Sequence, residues 1–311
     1  MTDYIYKYGN LDSTAIKTSY AVEGYFDNFN FSATNLKGNA NYKKTRTDAS
    51  HHNTTAKTRV WTFVICPSFG FLGSPEPLMK NCELKLSFDR SSPYTSILDT
   101  GSATPTLDYI EIKECYAVTE YISSEPLRNF FDSITYEPIR YEYDACEVMV
   151  KSIPTGETAI RFDNVRGGRL PLAMFAAIIP QSSLFGDKSY SSTYFRNNNV
   201  EEMNITLNGN SVNGYPITIK DQSPIYPMQK FLDTTDRYYN VISGETFSLT
   251  EFKYNFLWSH KFEAESADQG WLGINFKLSN SYSDNMSLVI WIISPTVLTL
   301  DQFNKVEKIN V

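Results

Sequence analysis

The residues that could do chemistry are few. Histidine occurs three times in 311 residues, at His51, His52 and His260, and cysteine four times, at Cys66, Cys82, Cys115 and Cys146. A hydrolytic or transfer centre needs a nucleophile with a base and an orienting partner, or two carboxylates held at a working distance. The sequence has no Gly-x-Ser-x-Gly elbow and no His-Glu-x-x-His helix, and nothing selects a carboxylate pair. His51 and His52 are neighbours, and adjacent side chains on an extended chain point apart, so they make a poor metal pair. His260 stands in Trp258-Ser259-His260-Lys261 and reads as a structural or surface histidine. The cysteines are far apart, with no Cys-x-x-Cys spacing, and each lies in or beside a strand-like apolar run. They read as small buried reduced hydrophobes in preference to disulfides, which points to an intracellular folding compartment. The acid-rich loop from Glu263 to Asp268 lacks the alternating aspartates of a calcium loop. The chemistry therefore points away from an enzyme, and no metal or cofactor is expected.

What the chain does contain is strand-forming sequence. Aromatic residues make up 14%, with 21 Tyr and 20 Phe among many Thr, Ser, Asn and Asp turn formers, a mixture that favours strands over helices. The organising stretch runs from Leu170 to Ile219. Leu170-Pro171-Leu172-Ala173-Met174-Phe175-Ala176-Ala177-Ile178-Ile179-Pro180 predicts a strand buried on both faces, and Met203 to Asn210 a half-buried strand ending in an Asn208-Gly209 turn. Further strands are predicted at 60–65, 83–89, 108–121 with a bulge near Cys115, 139–153, 245–257, 271–278 and 288–293. Short helices are predicted at 125–133 and within 226–239. Counted from Thr58, about eight strands separated by long loops, with no βαβ alternation, give the arithmetic of an all-β, antiparallel jelly-roll sandwich.

Residues 1–57 show no sustained period and read as an extended N-terminal arm, residues 58–304 as a single jelly-roll domain and residues 305–311 as a C-terminal tail. The net charge of −7 opposes an electrostatic grip on nucleic acid by the whole surface. The arm nevertheless concentrates Lys37, Lys43, Lys44, Arg46, Lys57 and Arg59. That cluster is either a solvated face or a weak contact with a genome or an acidic partner. No signal peptide is expected at the N-terminus, and no run of about 18 apolar residues predicts a membrane span.

Several of these residues carry a resemblance. Leu170-Pro171 through Ile179-Pro180, Phe185-Gly186, Tyr194-Phe195, then Val200 through Gly209 and Tyr215-Pro216-Ile217, resemble the C-terminal half of the double-jelly-roll major capsid proteins of adintoviruses and Polinton-like elements. Gly270 to Phe276 and Leu288 to Asp301 look like that family's closing strands, and Asn81 to Arg90 and Tyr136 to Tyr143 fall where it has others. The pattern departs at Leu172-Ala173, where the family carries a basic pair, and at Ser192-Thr193-Tyr194-Phe195. The resemblance spans residues 58–301 and implies a non-enzymatic capsid protein of the virion, made in the host cytoplasm. Its expected partners are copies of itself, as a trimer or pentamer, and other capsid subunits. Tyr215, Phe231, Tyr238, Tyr239 and Trp258 are the aromatic residues expected at its assembly interface. A reading of a different class is a carbohydrate- or receptor-binding β-sandwich, with Tyr238, Tyr239, Trp258 and Trp271 as the aromatic platform.

Overall fold

The computed structural model describes residues 51–53, 58–60, 70–73, 85–87, 111–119, 124–126, 129, 139–185, 195, 197, 199–212, 214–219, 224–235, 249, 252, 256–262, 269–300 and 306–310. Its strands are β1 (His51–Asn53), β2 (Thr58–Val60), β3 (Ile139–Ile153), β4 (Ala159–Arg169), β5 (Ala173–Pro180), β6 (Val200–Leu207), β7 (Asn210–Ser211), β8 (Ile217–Thr218), β9 (Trp258–Lys261), β10 (Gln269–Leu278), β11 (Met286–Leu300) and β12 (Val306–Asn310). Two α-helices accompany them, α1 (Gln181–Phe185) and α2 (Ile225–Thr234). One sheet has the order β3-β11-β5-β9, and the other β4-β10-β6 with β7 and β8 along the far edge of β6; every pairing is antiparallel. Taking β3, β4, β5, β6, β8, β9, β10 and β11 as eight successive strands, the sheets read 1-8-3-6 and 2-7-4-5. That interleaving is the jelly roll.

The first sheet is built on two strands with no alternation. β5 and β11 are buried along almost their whole lengths, which a strand tolerates only when both of its faces are covered. The register sets Ala176 beside Ile290 and Trp258, and Phe175 beside Trp291 and Ser259. Trp258 meets Phe276 of the second sheet edge-on at 6.5 Å, so its face looks into the sandwich. The opposite face carries Phe175 and Trp291, and these are capped edge-on by Phe231 of α2 at 6.1 Å and by Phe195 at 5.8 Å. β3 accompanies β11 along its full length on one side, so β5 and β12 share the other side end to end.

The second sheet alternates. Ile274 sits beside Ile205 and Phe162, and Phe276 beside Met203 and Ile160, all on the core side, while Asn275, Asn204 and Arg161 share the opposite face. β4 advances from Phe162 to Arg166 while β10 advances only from Leu272 to Ile274, a bulge that turns Val165 into the core.

Among the described residues the eight strands of the roll lie between Ile139 and Leu300, one of them in a place where no strand was expected. That strand is β4, whose Arg161, Asp163, Asn164, Arg166, Gly167, Gly168 and Arg169 gave no apolar period to read. Residues 85–87 and 111–119, expected as strands, are irregular and exposed, while Leu249 and Phe252 are helical where a strand was expected. The expected tail contains β12, held against residues 296–300 of β11, and the end of the expected arm forms β1 against β2. α2 starts one residue ahead of its expected range of 226–239 and ends within it, and residues 125, 126 and 129 are helical.

Because β11 is enclosed on both faces and both edges, its side chains have nowhere to relax. Ile290→Ala should lower the unfolding free energy by about 3 kcal/mol, read from the urea midpoint at unchanged slope.

Candidate functional site

The expected interface aromatics divide sharply. Phe231 and Trp258 are buried in the core of this same chain, Phe231 against Phe175 and Phe252 and Trp258 against Phe256 and Phe276, so neither offers a side chain to a partner. An aromatic residue in a helix or short strand gives no sequence sign of which way it faces, and here the two cap and fill the roll. Tyr238 and Tyr239 lie outside the described residues. Tyr215 is 61% exposed and stacks on Tyr226, with ring centroids 6.4 Å apart and the Tyr226 hydroxyl donating to that of Tyr215 at 3.4 Å. Lys230 Nζ stands 5.7 Å from the Tyr226 centroid, and Ile225 is exposed beside it on α2. Partial burial, with the Tyr215 contact second, pushes the Tyr226 hydroxyl up to about 12, so Tyr226 stays neutral at any ordinary pH. The sequence predicts only a short helix here, and nothing in it marks Tyr226 as the partner of Tyr215 or Ile225 as exposed.

The basic cluster is mostly beyond description: Lys37, Lys43, Lys44, Arg46 and Lys57 lie outside the described residues, and Arg59 is placed only as the middle residue of β2, in register with His52. Of the thiols, Cys115 is exposed, contrary to expectation, and Cys146 is half-buried with its Sγ donating to the Glu147 carbonyl at 3.8 Å; neither is in a disulfide. Cys66 and Cys82 are not described. Among the described residues no three His, Cys, Asp or Glu side chains gather as a metal site would require.

His260 is buried on β9 beside Met174, with its ring edge-on to Phe262 at 4.6 Å and Nδ1 without a hydrogen-bond partner. Desolvation, and secondarily the Lys230 ammonium, lowers its pKa to about 4. Among the described residues no acid orients this imidazole and no three acidic, thiol or imidazole groups gather around it, and its burial makes it a neutral core residue.

Trp271, read at first as part of a sugar platform, is 58% exposed on the outer face of the second sheet. Its indole lies flat over Gly167, where a Cβ would fall 2.5 Å from a ring carbon. Asn208, left-handed at φ 53°, donates its backbone N–H to the Trp271 carbonyl and accepts the Trp271 N–H on Oδ1, both at 2.9 Å. Its amide occupies the space a Cβ on Gly270 would need. The Asn-Gly turn visible in the sequence thus also latches the neighbouring strand.

No family model and no curated protein matches the chain. Among solved structures it is similar to the Sputnik virophage, at 10% identity and a TM-score of 0.36 over 56% of this chain and 39% of that one. It is similar to the PBCV-1 virus capsid at 9% identity and 0.39, over 60% and 55% of the two chains. To the mavirus major capsid protein the figures are 6% and 0.34, over 61% and 44%. The chain therefore spans between 39% and 55% of the solved chains it matches.

The buried imidazole makes stability depend on pH. The unfolded chain binds a proton at His260 near pH 6.5 and the folded chain only near 4, so stability falls as pH drops through that window. Relative to His260→Gln, the wild type should lose on the order of 3 kcal/mol between pH 7 and pH 4, measured as the difference in urea midpoints across pH.

Proposed function

We propose that the chain is a non-enzymatic structural subunit of a viral capsid. It assembles with copies of itself, as a trimer or pentamer, and with other capsid subunits, and its place is the virion. The observation that carries this reading is where the closed roll leaves apolar side chains outside. Tyr215 and Ile225 stand exposed around α2, Phe185 at the end of α1, and Val148 and Val150 on one face of β3. β3 is 15 residues long and pairs only with β11 among the described strands, so it offers an edge to which another chain can add. A solitary subunit gains nothing from that distribution, whereas an assembling one buries it. The resemblance of the Leu170 to Ile219 segment to double-jelly-roll capsid proteins supports the same reading. In this proposal residues 58–138 lead into the roll as part of the assembling unit. Residues 1–57 act as an arm, and its cluster of Lys37, Lys43, Lys44, Arg46, Lys57 and Arg59 makes a weak, salt-sensitive genome contact.

Light scattering coupled to size exclusion tests it, with negative-stain images of the peak. The chain should elute as a species heavier than one 35.5 kDa subunit at about 10 μM. Tyr215→Ala combined with Ile225→Ser should weaken association at least tenfold, about 1.4 kcal/mol or more, without changing the far-UV spectrum. A strict monomer at the highest soluble concentration, across low and high salt, would overturn the reading.

A further inference from the structure

The outward positions of β10 are Gln269, Trp271, Gly273, Asn275 and Lys277, set between the core-facing Leu272, Ile274, Phe276 and Leu278. The register places Arg169 beside Gln269, Gly167 beside Trp271, Thr206 beside Gly273, Asn204 and Arg161 beside Asn275, and Glu202 beside Lys277. At about 3.4 Å per residue this makes a polar strip roughly 27 Å long with one indole near its end. From this strip we infer a second function: a binding face for a neutral saccharide chain, with Trp271 as the stacking platform. The inference rests on the sheet alone and not on the assembly proposed above.

The local backbone is shaped around that ring. Gly167 must lack a side chain for the indole to lie down, Gly270 for the Asn208 amide to reach the Trp271 N–H, and Gly273 because a Cβ there would meet Thr206 Oγ1 at 2.6 Å. Asn208 holds a left-handed conformation to make both of its bonds to Trp271. Covering a glycine needs one face of an aromatic ring, and the exposure of Trp271 leaves the other face open to solvent. A ring already fixed in place loses little entropy when a ligand stacks on it. Past Gly273 and Thr206, which are both buried, come amides and hydroxyls. Asn204 Oδ1 accepts the Ser211 hydroxyl at 2.6 Å, and Asn275 Oδ1 is enclosed with no protein donor. A pyranose ring matches this order of groups. Its C–H face carries partial positive charge toward the indole π face, and its hydroxyls both donate and accept toward amides.

Composition decides against two other occupants. A protein partner burying roughly 800 Å² a side wants an apolar centre, and the strip contains a single large apolar side chain. A nucleic-acid strand also stacks on tryptophan, but it needs unpaired cations along its backbone. Lys277 is matched by Glu201 and Glu202 at 3.6 and 3.5 Å, Arg161 by Asp163, and Arg166 by Glu147 at 3.5 Å. That leaves Arg169 as the one cation of the strip with no acid partner among the described residues.

The test titrates the full chain, in whatever assembly state it adopts, with maltohexaose, cellohexaose, xylohexaose, mannohexaose and chitohexaose, and with a dT20 oligonucleotide as counter-probe. Calorimetry should show saturable binding of at least one hexasaccharide, weakened at least tenfold by Trp271→Ala and restored to within about threefold by Trp271→Tyr. Gly167→Val, which evicts the ring from its seat while keeping the tryptophan, should weaken binding to a similar degree at unchanged thermal midpoint. Four results would overturn the inference: no hexasaccharide bound at about 10 mM, affinity indifferent to Trp271→Ala, salt-sensitive binding of dT20 alone, or a loss of assembly mass in Trp271→Ala with no saccharide effect.

Discussion

The molecule depends on a single buried strand. β11 runs through the middle of the first sheet with β3 on one side and β5 and then β12 on the other, and its two faces are closed by the second sheet and by the Phe195 and Phe231 caps. A backbone that far from water must have its N–H and C=O groups met by protein, which is why its partners run beside it over the full 15 residues without a register break. The same constraint explains the composition of the strand. With both faces dry, Leu288, Val289, Ile290, Trp291, Ile292 and Ile293 can all be apolar, and no polar alternation is needed.

That constraint also governs what could be read from the sequence. Strands with a strong signature were legible: the unbroken apolar run of β5, the unbroken run of β11, the two-residue period of β10 and the Asn208-Gly209 turn after β6 all sit where pattern alone placed them. β4 was invisible because its bulge breaks the period and its Gly167-Gly168 pair looks like a turn, although Gly167 is there to receive a cross-strand indole. Conversely, residues 111–119 have strand-like composition with every residue exposed. Propensity describes a side chain suited to a pleated, half-covered surface, and it does not supply the cover.

Site residues were less legible than strands, for a related reason. Period identifies the inward face of an element only when a second face contrasts with it. α2 carries Phe231 inward, Ile225 outward and Tyr226 half-buried between them, but the partner that fixes Phe231, the Phe175 ring on β5, lies 56 positions away in the chain and has no local signature. Trp258 and Trp271 are both tryptophans on strands, one sealed and one open. What separates them is β9 packing its tryptophan toward Phe276 while β10 turns its own away from the core toward Gly167. His260 likewise reads in the sequence as either a structural or a surface histidine, and only the packing around β9 decides for the buried one.

The two sheets are unlike on their outer faces, and this limits where other molecules can bind. The first sheet has Phe175 and Trp291 already capped from within the chain, so that face is spent on stability. The second carries ion pairs and a seated, exposed indole on its outer face, while Gly273 and Thr206 between them are buried. Apolar contact surface is found at the margins instead: the open edge of β3 with Val148 and Val150, the end of α1 at Phe185, and the Tyr215 and Ile225 patch. The dependence then runs one way. Any change that loosens β11 also loosens the caps that hold α2 and the Tyr215–Tyr226 stack beside it, whereas the Trp271 face hangs on β4, β6 and β10 and is reached from β11 only through the core between the sheets.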